Sequence, residues 1–210
     1  MTGSMTRIFA IVAMAVWFGG CAALAPRADP SSYYILGALP AADFAADKNT
    51  TGVKANFSVG LSPIELPGYL DRQQIATRTS TNRLSYSETE RWAAPLAENF
   101  SRVLELNLSY LLNRARMIQF PWQSNNTPDY QVTIEVRQFD ANGAREAYLT
   151  ARWSVIDRNK KLLVGQNSQL KRRAGSFSTE DSVKALSEAL GDLSHEIAKA
   201  LLSFEEQRTS

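Results

Sequence analysis

Apolar side chains recur every three or four residues near the end of the chain, which predicts one long amphipathic helix. The stripe consists of Val183, Leu186, Leu190, Leu193, Ile197, Ala200 and Phe204. This spacing fits a helix that packs on the protein's own sheet or one that forms a coiled-coil seam, and the first is the commoner arrangement for a lone helix. A similar stripe from Leu96 to Leu112 predicts a second helix over about residues 90–115, with Pro95 confined to its first turn.

Strict alternation of apolar and polar residues elsewhere predicts strands. It is clearest over residues 53–61, 130–136 and 147–157, and Asn142-Gly143 between the last two is a strong hairpin signal. Short strands are expected over residues 33–36, 75–78 and 83–86, and a further strand over residues 162–172. Together these elements predict a single α+β domain over residues 33–210, a mainly antiparallel sheet packed by two long helices.

The first 20 residues have the pattern of an export signal. Arg7 supplies a positive charge, residues 8–18 are apolar, and Gly19-Gly20 lead into Cys21. Eleven apolar residues span about 16 Å as a helix, roughly half of a bilayer core, so a removable signal fits better than a permanent anchor. The Gly-Gly-Cys ending resembles a lipobox, in which diacylglycerol is attached to the cysteine. We therefore expect residues 1–20 to be a lipoprotein signal peptide, with Cys21 as the lipid attachment site.

Two alternatives to the lipobox stay open at this stage. An ordinary signal peptidase could cut after Ala25, although Pro26 is unfavourable there, or Cys21 could be one more apolar residue of the signal. Ala22 stands where an Asp would favour inner-membrane retention, so the outer membrane is the expected location. Residues 21–32 contain Pro26 and Pro30 and no periodicity, which predicts a lipidated tether whose eleven residues after Cys21 reach at most about 36 Å.

Composition and charge narrow the possible partners. Hydrophobic residues make up 44% and charged residues 21% of the chain, as in ordinary globular proteins. Without Arg7, 22 basic residues face 21 acidic ones, a balance of +1. Such a balance gives no general attraction to nucleic acid, so no nucleic-acid partner is expected.

Few residues are suited to catalysis or metal binding. His195 and Cys21 are the only histidine and cysteine, so no metal site and no cofactor beyond the lipid on Cys21 are expected. A Ser-His-Asp triad would have to use His195, which follows no Gly-x-Ser-x-Gly elbow and falls on the last predicted helix. We predict an exposed helix histidine and a protein that is not an enzyme. The basic run Lys171-Arg172-Arg173 is typical of a solvated strand end, or at most helps a partner or lipid headgroup dock.

The segment of residues 64–72 combines a Pro67-Gly68 turn with Tyr69 and Leu70 between charged residues. An exposed apolar loop of this kind could contact a partner, which makes Tyr69 and Leu70 candidate partner contacts. The alternative is that both side chains fold back into the core.

Several segments in order along the chain resemble the PqiC/YmbA family, the auxiliary lipoproteins of ABC-type intermembrane lipid transport systems. They include Glu65-Leu66-Pro67-Gly68-Tyr69-Leu70-Asp71-Arg72, Ile75-Ala76-Thr77-Arg78, Asn82-Arg83-Leu84, Arg91-Trp92-Ala93-Ala94-Pro95-Leu96 and Asn99-Phe100-Ser101-Arg102-Val103-Leu104. Tyr33-Tyr34-Ile35-Leu36-Gly37, the stretch from Asp129 to Asp140 and Ala151-Arg152-Trp153-Ser154-Val155-Ile156-Asp157 extend the resemblance over most of the mature chain.

The resemblance implies a non-enzymatic outer-membrane lipoprotein that faces the periplasm. Family members work with an MCE-domain protein that forms a tunnel and with an inner-membrane permease, and the best-known member forms a ring, so a homo-oligomeric ring is expected. Two other classes stay open. A lipid-carrier lipoprotein would bind lipid in its own cavity, and a lipoprotein hydrolase would depend on His195.

Overall fold

The computed structural model describes residues 29–40, 56–113 and 115–209, and within them Ser31–Ser210 form one compact unit. The predicted signal peptide, Cys21 and most of the predicted tether lie outside the described residues. So does the first part of the strand predicted over residues 53–61. Within the described parts of the chain, no helix is long and apolar enough to cross a membrane.

Eight strands and two long helices follow one another along the chain. In chain order they are β1 (Ser32–Tyr34), β2 (Ser58–Leu61), β3 (Gln74–Ser80), β4 (Arg83–Trp92), α1 (Leu96–Leu111), β5 (Arg116–Ile118), a 3-10 turn (Ser124–Asn126), β6 (Tyr130–Asn142), β7 (Glu146–Asp157), β8 (Leu162–Arg173) and α2 (Thr179–Thr209). The predicted α+β fold class with two helices on one sheet is confirmed.

Strand β6 lies at the centre of the sheet and has different neighbours along its two edges. On one side it pairs along its length with β7, which pairs with β8, and both ladders are antiparallel. On the other side its first residues pair with β2 and its last with β3, both in parallel. Beyond these, β5 pairs in parallel with β2, β4 pairs with β3 in antiparallel, and β1 pairs in parallel with β4.

The sheet is therefore mixed, whereas the sequence predicted a mainly antiparallel one. Four of the seven strand pairings among the described residues are parallel. Parallel neighbours need long connections, and here those connections include α1. Local alternation predicts the presence of a strand but carries no information about a partner that far along the chain.

Helix α1 is shorter than the predicted span of residues 90–115. It begins after Pro95, which acts as its N-cap residue with ψ 129°, and ends at Leu111. Residues 90–92 belong instead to β4, where Ser32 pairs with Glu90 and Gln74 pairs with Arg91. Proline disfavours helical backbone in the residue before it, so the stretch ahead of Pro95 is free to join the sheet.

The core lies between one face of the sheet and the two helices. The predicted stripe of α2 faces this core, where Leu190, Leu193 and Ile197 have no exposed surface. This confirms that α2 packs on its own sheet. From α1, the ring of Phe100 meets Phe139 of β6 edge to face with centroids 5.4 Å apart, an arrangement favoured by aromatic pairs.

The β6–β7 hairpin forms where Asn142-Gly143 predicted it. The Asn142 side-chain Oδ1 accepts hydrogen bonds from the backbone N–H groups of Ala144 and Glu146, at 2.9 and 3.0 Å. Arg145 completes the turn with a positive φ of 63°. The hairpin is thus closed by an asparagine that satisfies two backbone donors itself.

Candidate partner-binding surfaces

The Pro-Gly loop runs along β6 between β2 and β3. The backbone N–H of Glu65 donates to the carbonyl oxygen of Ile134 at 3.1 Å. The carbonyl oxygen of Glu65 accepts from the backbone N–H of Val136 at 2.9 Å. The turn itself is closed by Leu70, whose N–H donates to the Pro67 oxygen at 2.9 Å. The loop is therefore a bound part of the sheet.

The two candidate contact residues of this loop are placed differently. Leu70 is 3% exposed and packs in the hydrophobic core, so it is not available to a partner on this surface. Burial of an apolar side chain is the more stable outcome wherever the backbone allows it, and the Pro67–Leu70 turn aims this one inward. Tyr69 is half-buried and packs at the edge of the core. A partner contact through Tyr69 stays a prediction.

The hydroxyl of Tyr69 joins a buried polar cluster around Asp140. The Asp140 carboxylate has no exposed surface and meets Arg78 through two hydrogen bonds, Nε to Oδ1 at 3.0 Å and Nη2 to Oδ2 at 2.7 Å. Gln138 donates to Oδ1 at 2.9 Å and Tyr69 to Oδ2 at 3.2 Å. Four hydrogen bonds from these three side chains saturate the carboxylate, as a buried charge requires.

Burial and the neighbouring carboxylate raise the pKa of Tyr69 to about 12, so its hydroxyl stays protonated and donates at physiological pH. The hydrogen bonds to Asp140 also raise the pKa of Arg78. Sequence reasoning did not single out Asp140. The sequence marks Asp140 only by its position after Phe139 on β6. The alternation of buried and exposed residues along this strand shifts at a bulge between Val136 and Gln138.

The outer side of the loop is held by an arginine and a second tyrosine. The Arg72 guanidinium lies 4.2 Å from the ring centroid of Tyr86. The Tyr86 hydroxyl donates to the backbone carbonyl oxygen of Tyr69 at 3.4 Å. A cation over an aromatic face adds modest stabilisation at an exposed site. The residues that carry the family resemblance in this region therefore fix the loop to the sheet.

Residues 36–39, which follow β1, run between the two helices and are held by helix side chains. Arg102 donates to the Leu36 oxygen at 3.2 Å, Asn107 Oδ1 accepts from the Leu39 nitrogen at 3.0 Å, and Ser187 Oγ accepts from the Gly37 nitrogen at 3.1 Å. This segment has no strand neighbour to satisfy its backbone, so polar helix side chains do so. We call residues 36–39 the clamped segment.

The largest recess described lies between residues 33–40 and α2, with a volume of about 1140 Å³. Its lining combines apolar side chains such as Tyr33, Ile35 and Leu39 with charged ones such as Lys184. Tyr33 and Ile35 are more than half exposed, at 58% and 55%. The recess is open, and its mixed lining suits a partner surface or an amphipathic ligand.

His195 lies on the wall of this recess and is half-buried. Its Nδ1 is 2.9 Å from the backbone oxygen of Gly191 on the same helix. The exposed helix histidine expected from the sequence is thus partly covered. Within the residues that the structure describes, no group of three or more His, Cys, Asp or Glu side chains could hold a metal ion.

A smaller recess of about 420 Å³ lies beside α1 and the edge strand β5. Its apolar wall is formed by residues that include Ile64, Met117 and Phe120, and Phe120 is 53% exposed. Partial burial raises the pKa of Glu105 on the opposite wall.

Two of the three residues in the basic run at the end of β8 form salt bridges with acidic side chains. Lys171 pairs with Glu146 at 2.5 Å, and Arg172 forms a salt bridge with Asp192 on α2. Both pairs have exposed members and contribute little to stability. Arg173, the last residue of β8, is exposed.

The comparisons with known proteins agree with this fold. A crystal structure described only as an uncharacterized protein is 19% identical, with a TM-score of 0.68, and the match covers 81% of this chain and 98% of that one. The crystal structure of protein XCC0632 from Xanthomonas campestris is 14% identical with the same TM-score, over 85% of this chain and 100% of the other. These likenesses show a shared fold. No curated protein matches the sequence significantly.

The family assignment comes from the sequence itself. Residues 38–198 match the model of a family described as ABC-type transport auxiliary lipoprotein component. The match begins in the clamped segment and ends within α2, so it includes the Pro-Gly loop, the Asp140 cluster and both helices. The chain belongs to the ABC-type transport auxiliary lipoprotein component family.

Proposed function

We propose that this protein is the outer-membrane lipoprotein of an intermembrane lipid transport system, where it serves as a structural subunit for an MCE-domain tunnel and its inner-membrane permease. The observation that carries the proposal is the family match over residues 38–198. The lipid on Cys21 holds the protein at the outer membrane, and the folded domain faces the periplasm. Several copies form a ring.

The arrangement of polar groups supports a role without catalysis. The most buried carboxylate, Asp140, is saturated by Arg78, Gln138 and Tyr69, which leaves it no free position for a substrate. The ring of His195 contacts the backbone of its own helix.

Attachment to a membrane supports the assembly part of the proposal. A domain on a short tether is confined near one surface, which raises its effective concentration for neighbouring copies and for a tunnel that ends there. Weak lateral contacts between copies are then sufficient for a ring. Tyr69, which is half-buried at the edge of the core, is a candidate for such a contact.

The test uses the full lipoprotein purified in detergent, together with the MCE-domain protein of the same organism. We expect co-purification of the two proteins and a multimer of the lipoprotein in light scattering at tens of micromolar. Tyr69→Ala should weaken the multimer, while Tyr110→Ala, at an exposed tyrosine of α1, serves as the control. A strict monomer that ignores the MCE protein would refute the proposed role.

A lipid-carrier function is the second candidate, and the recess beside residues 33–40 is the observation that favours it. Its volume of about 1140 Å³ and its exposed Tyr33 and Ile35 could accommodate part of a phospholipid. Native mass spectrometry of the purified protein separates the two functions. Stoichiometric lipid on a monomer that binds no MCE protein would favour the carrier.

A further inference from the structure

Three connections of the domain lie together at one end of the sheet. They are the β3–β4 turn at residues 81–82, the β6–β7 hairpin at residues 143–145 and the β8–α2 loop at residues 174–178. Strand register places them there, because Arg78 pairs with Asn142 and Glu146 pairs with Arg173. We call these three connections the loop end.

The N-terminal end of β1 points toward the loop end. Strand β1 is parallel to β4, and β4 starts directly after the β3–β4 turn. Ser32 pairs with Glu90, whose carboxylate accepts a hydrogen bond from the hydroxyl of Thr179. Thr179 begins α2, two residues after Phe177. The first strand after the predicted tether therefore starts beside the loop that carries Phe177.

The loop end combines an exposed aromatic side chain with arginines. Phe177 is 76% exposed, more than any other large hydrophobic residue among those described, and the Arg145 guanidinium lies 5.1 Å from its ring centroid. Residues 79–83, 142–145 and 173–178 contain three arginines and no carboxylate.

The hydrogen bonds of these arginines leave their charge unneutralised. Arg83 donates to the Thr79 hydroxyl at 3.0 Å and Arg145 to the Gly175 oxygen at 3.2 Å, both uncharged acceptors. Carboxylates border the loop end: Glu146 lies across the β7–β8 ladder from Arg173 and forms a salt bridge with Lys171. Glu180 and Asp181 lie in the first turn of α2. There the positive end of the helix dipole offsets part of their charge.

We propose that the loop end is a docking face for an anionic phospholipid surface, the same membrane that holds the lipid of Cys21. The proposal rests on the lipid anchor of the proposed function. Cys21 lies eleven residues before Ser32, a reach of at most about 36 Å, so the anchor keeps the face within range of the membrane.

The chemistry of the face fits the boundary between headgroups and acyl chains. An aromatic ring is favoured at this boundary, and arginine side chains extend from it toward phosphate groups. Each arginine or lysine close to an anionic membrane surface increases the binding constant of the protein for that membrane about five-fold. A lipid surface accommodates an aromatic ring and three arginines of the same face without the specific geometry that a protein partner would need.

The experiment uses the lipidated full-length protein and one environment-sensitive fluorophore. The chain has a single cysteine, Cys21, whose thiol carries the lipid, so an introduced cysteine is the only free thiol. Ser176→Cys places the fluorophore at the loop end. Leu162→Cys places it at the opposite end of the sheet, where Leu162 pairs with Ile156 and is 61% exposed. Vesicles contain phosphatidylethanolamine and phosphatidylglycerol with a share of brominated lipid.

We expect several-fold stronger quenching by brominated lipid at position 176 than at position 162. Adding Phe177→Ser, or Arg145→Gln with Arg173→Gln, should reduce the quenching at position 176 toward that of the control position. Lys160→Gln with Lys161→Gln removes two exposed cations at the opposite end and should leave the quenching unchanged. Vesicles of phosphatidylcholine alone should also give weaker quenching.

Flotation with the vesicles separates this proposal from the one on which it rests. Protein that fails to float would overturn the lipid anchor and the proposed function with it. Protein that floats but shows equal quenching at positions 176 and 162, or stronger quenching at 162, would overturn the docking face and leave the anchor intact. If neither set of loop-end substitutions reduces the quenching at position 176, the docking face is also overturned.

Discussion

Arg78 and Asp140 form a two-point ion pair between neighbouring strands, with Nε 3.0 Å from Oδ1 and Nη2 2.7 Å from Oδ2. Asp140 has no exposed side-chain surface, whereas a quarter of the Arg78 side chain is exposed. The arginine thus connects a fully buried charge to the solvent, and Tyr69 attaches the Pro-Gly loop to the same carboxylate. Much of the order of that loop depends on this one pair.

Arg78→Met should destabilise the domain by about 3 kcal/mol, because removal of one partner leaves a buried carboxylate without its counter-charge. Urea titration of the purified domain measures this loss. Arg78→Met with Asp140→Leu should recover much of it, since neither charge then remains buried. Additive losses in the double variant would show that the two residues act independently.

Gly191→Val should lower the free energy of unfolding by about 1–3 kcal/mol, the usual cost of overpacking. A Cβ atom at Gly191 would lie 2.4 Å from Cδ2 and 3.0 Å from Cγ of Leu39, so the valine would press on the clamped segment. In a Leu39→Ala background the same change should cost much less. The measurement is a double-mutant cycle of unfolding free energies, and a coupling near zero would contradict the contact.

Leu190→Asp or Leu193→Asp should prevent stable folding. Both side chains are fully buried, and an unpaired carboxylate in the core costs several kcal/mol, comparable to the stability of a whole domain. Lys199→Asp places the same charge on the exposed side of α2 and is the matched control. Thermal unfolding followed by circular dichroism measures the effect, and a loss of only a few degrees in the leucine variants would contradict it.

Asp129 should make stability depend on pH in the acid range. Partial burial alone would raise the pKa of its carboxyl, but hydrogen bonds from the Ser58 hydroxyl and backbone N–H, with Arg158 nearby, lower that pKa below its ordinary value. Its contribution is therefore complete above the unfolded-state pKa of about 3.9 and is lost as pH falls through the lower folded-state pKa.

Asp129→Asn removes this titration, so unfolding free energies of the variant should fall less steeply below about pH 4 than those of the parent protein. Asp71→Asn, an exposed carboxylate in the Pro-Gly loop, is the control. Urea titrations at several pH values provide the comparison. Identical slopes for the parent and Asp129→Asn would contradict the role assigned to the Ser58 hydrogen bonds.

Cys21→Ala should abolish lipid attachment and leave an unprocessed or soluble protein. The physical basis is the thiol, which is the atom that the lipid modifies. Mass spectrometry of the protein from membrane fractions measures the change. Processing that continues unchanged under globomycin, which blocks the lipoprotein signal peptidase, would contradict the lipobox.

The elements that sequence patterns predict well are those whose partners are close along the chain. The stripe of α2 is long enough to fix a helix and its buried face, and Asn142-Gly143 fixes the β6–β7 hairpin and most of its register. Both rest on local periodicity and turn chemistry, which a single sequence records directly.

Other features depend on distant parts of the chain and escaped prediction. Residues 90–92 join β4 because β1 and the start of β3 pair with them. The helical spacing of apolar residues gives no information about this competing strand pairing. Leu70 is buried because the Pro67 turn lies against β6. The importance of Asp140 appears only when Arg78 of β3 and Tyr69 of the Pro-Gly loop meet its carboxylate. The loop sequence alone therefore left open whether Leu70 faces a partner or the core.

The clamped segment also determines how the domain responds to mechanical load. Among the described elements, a pull from the N-terminal side of the domain reaches β1 first, whose three residues pair with β4. Next in line are the hydrogen bonds from Arg102, Asn107 and Ser187 to residues 36–39, and these side chains belong to α1 and α2. Tension applied ahead of β1 therefore passes into the pair of helices on the core, and the short edge strand does not resist it alone.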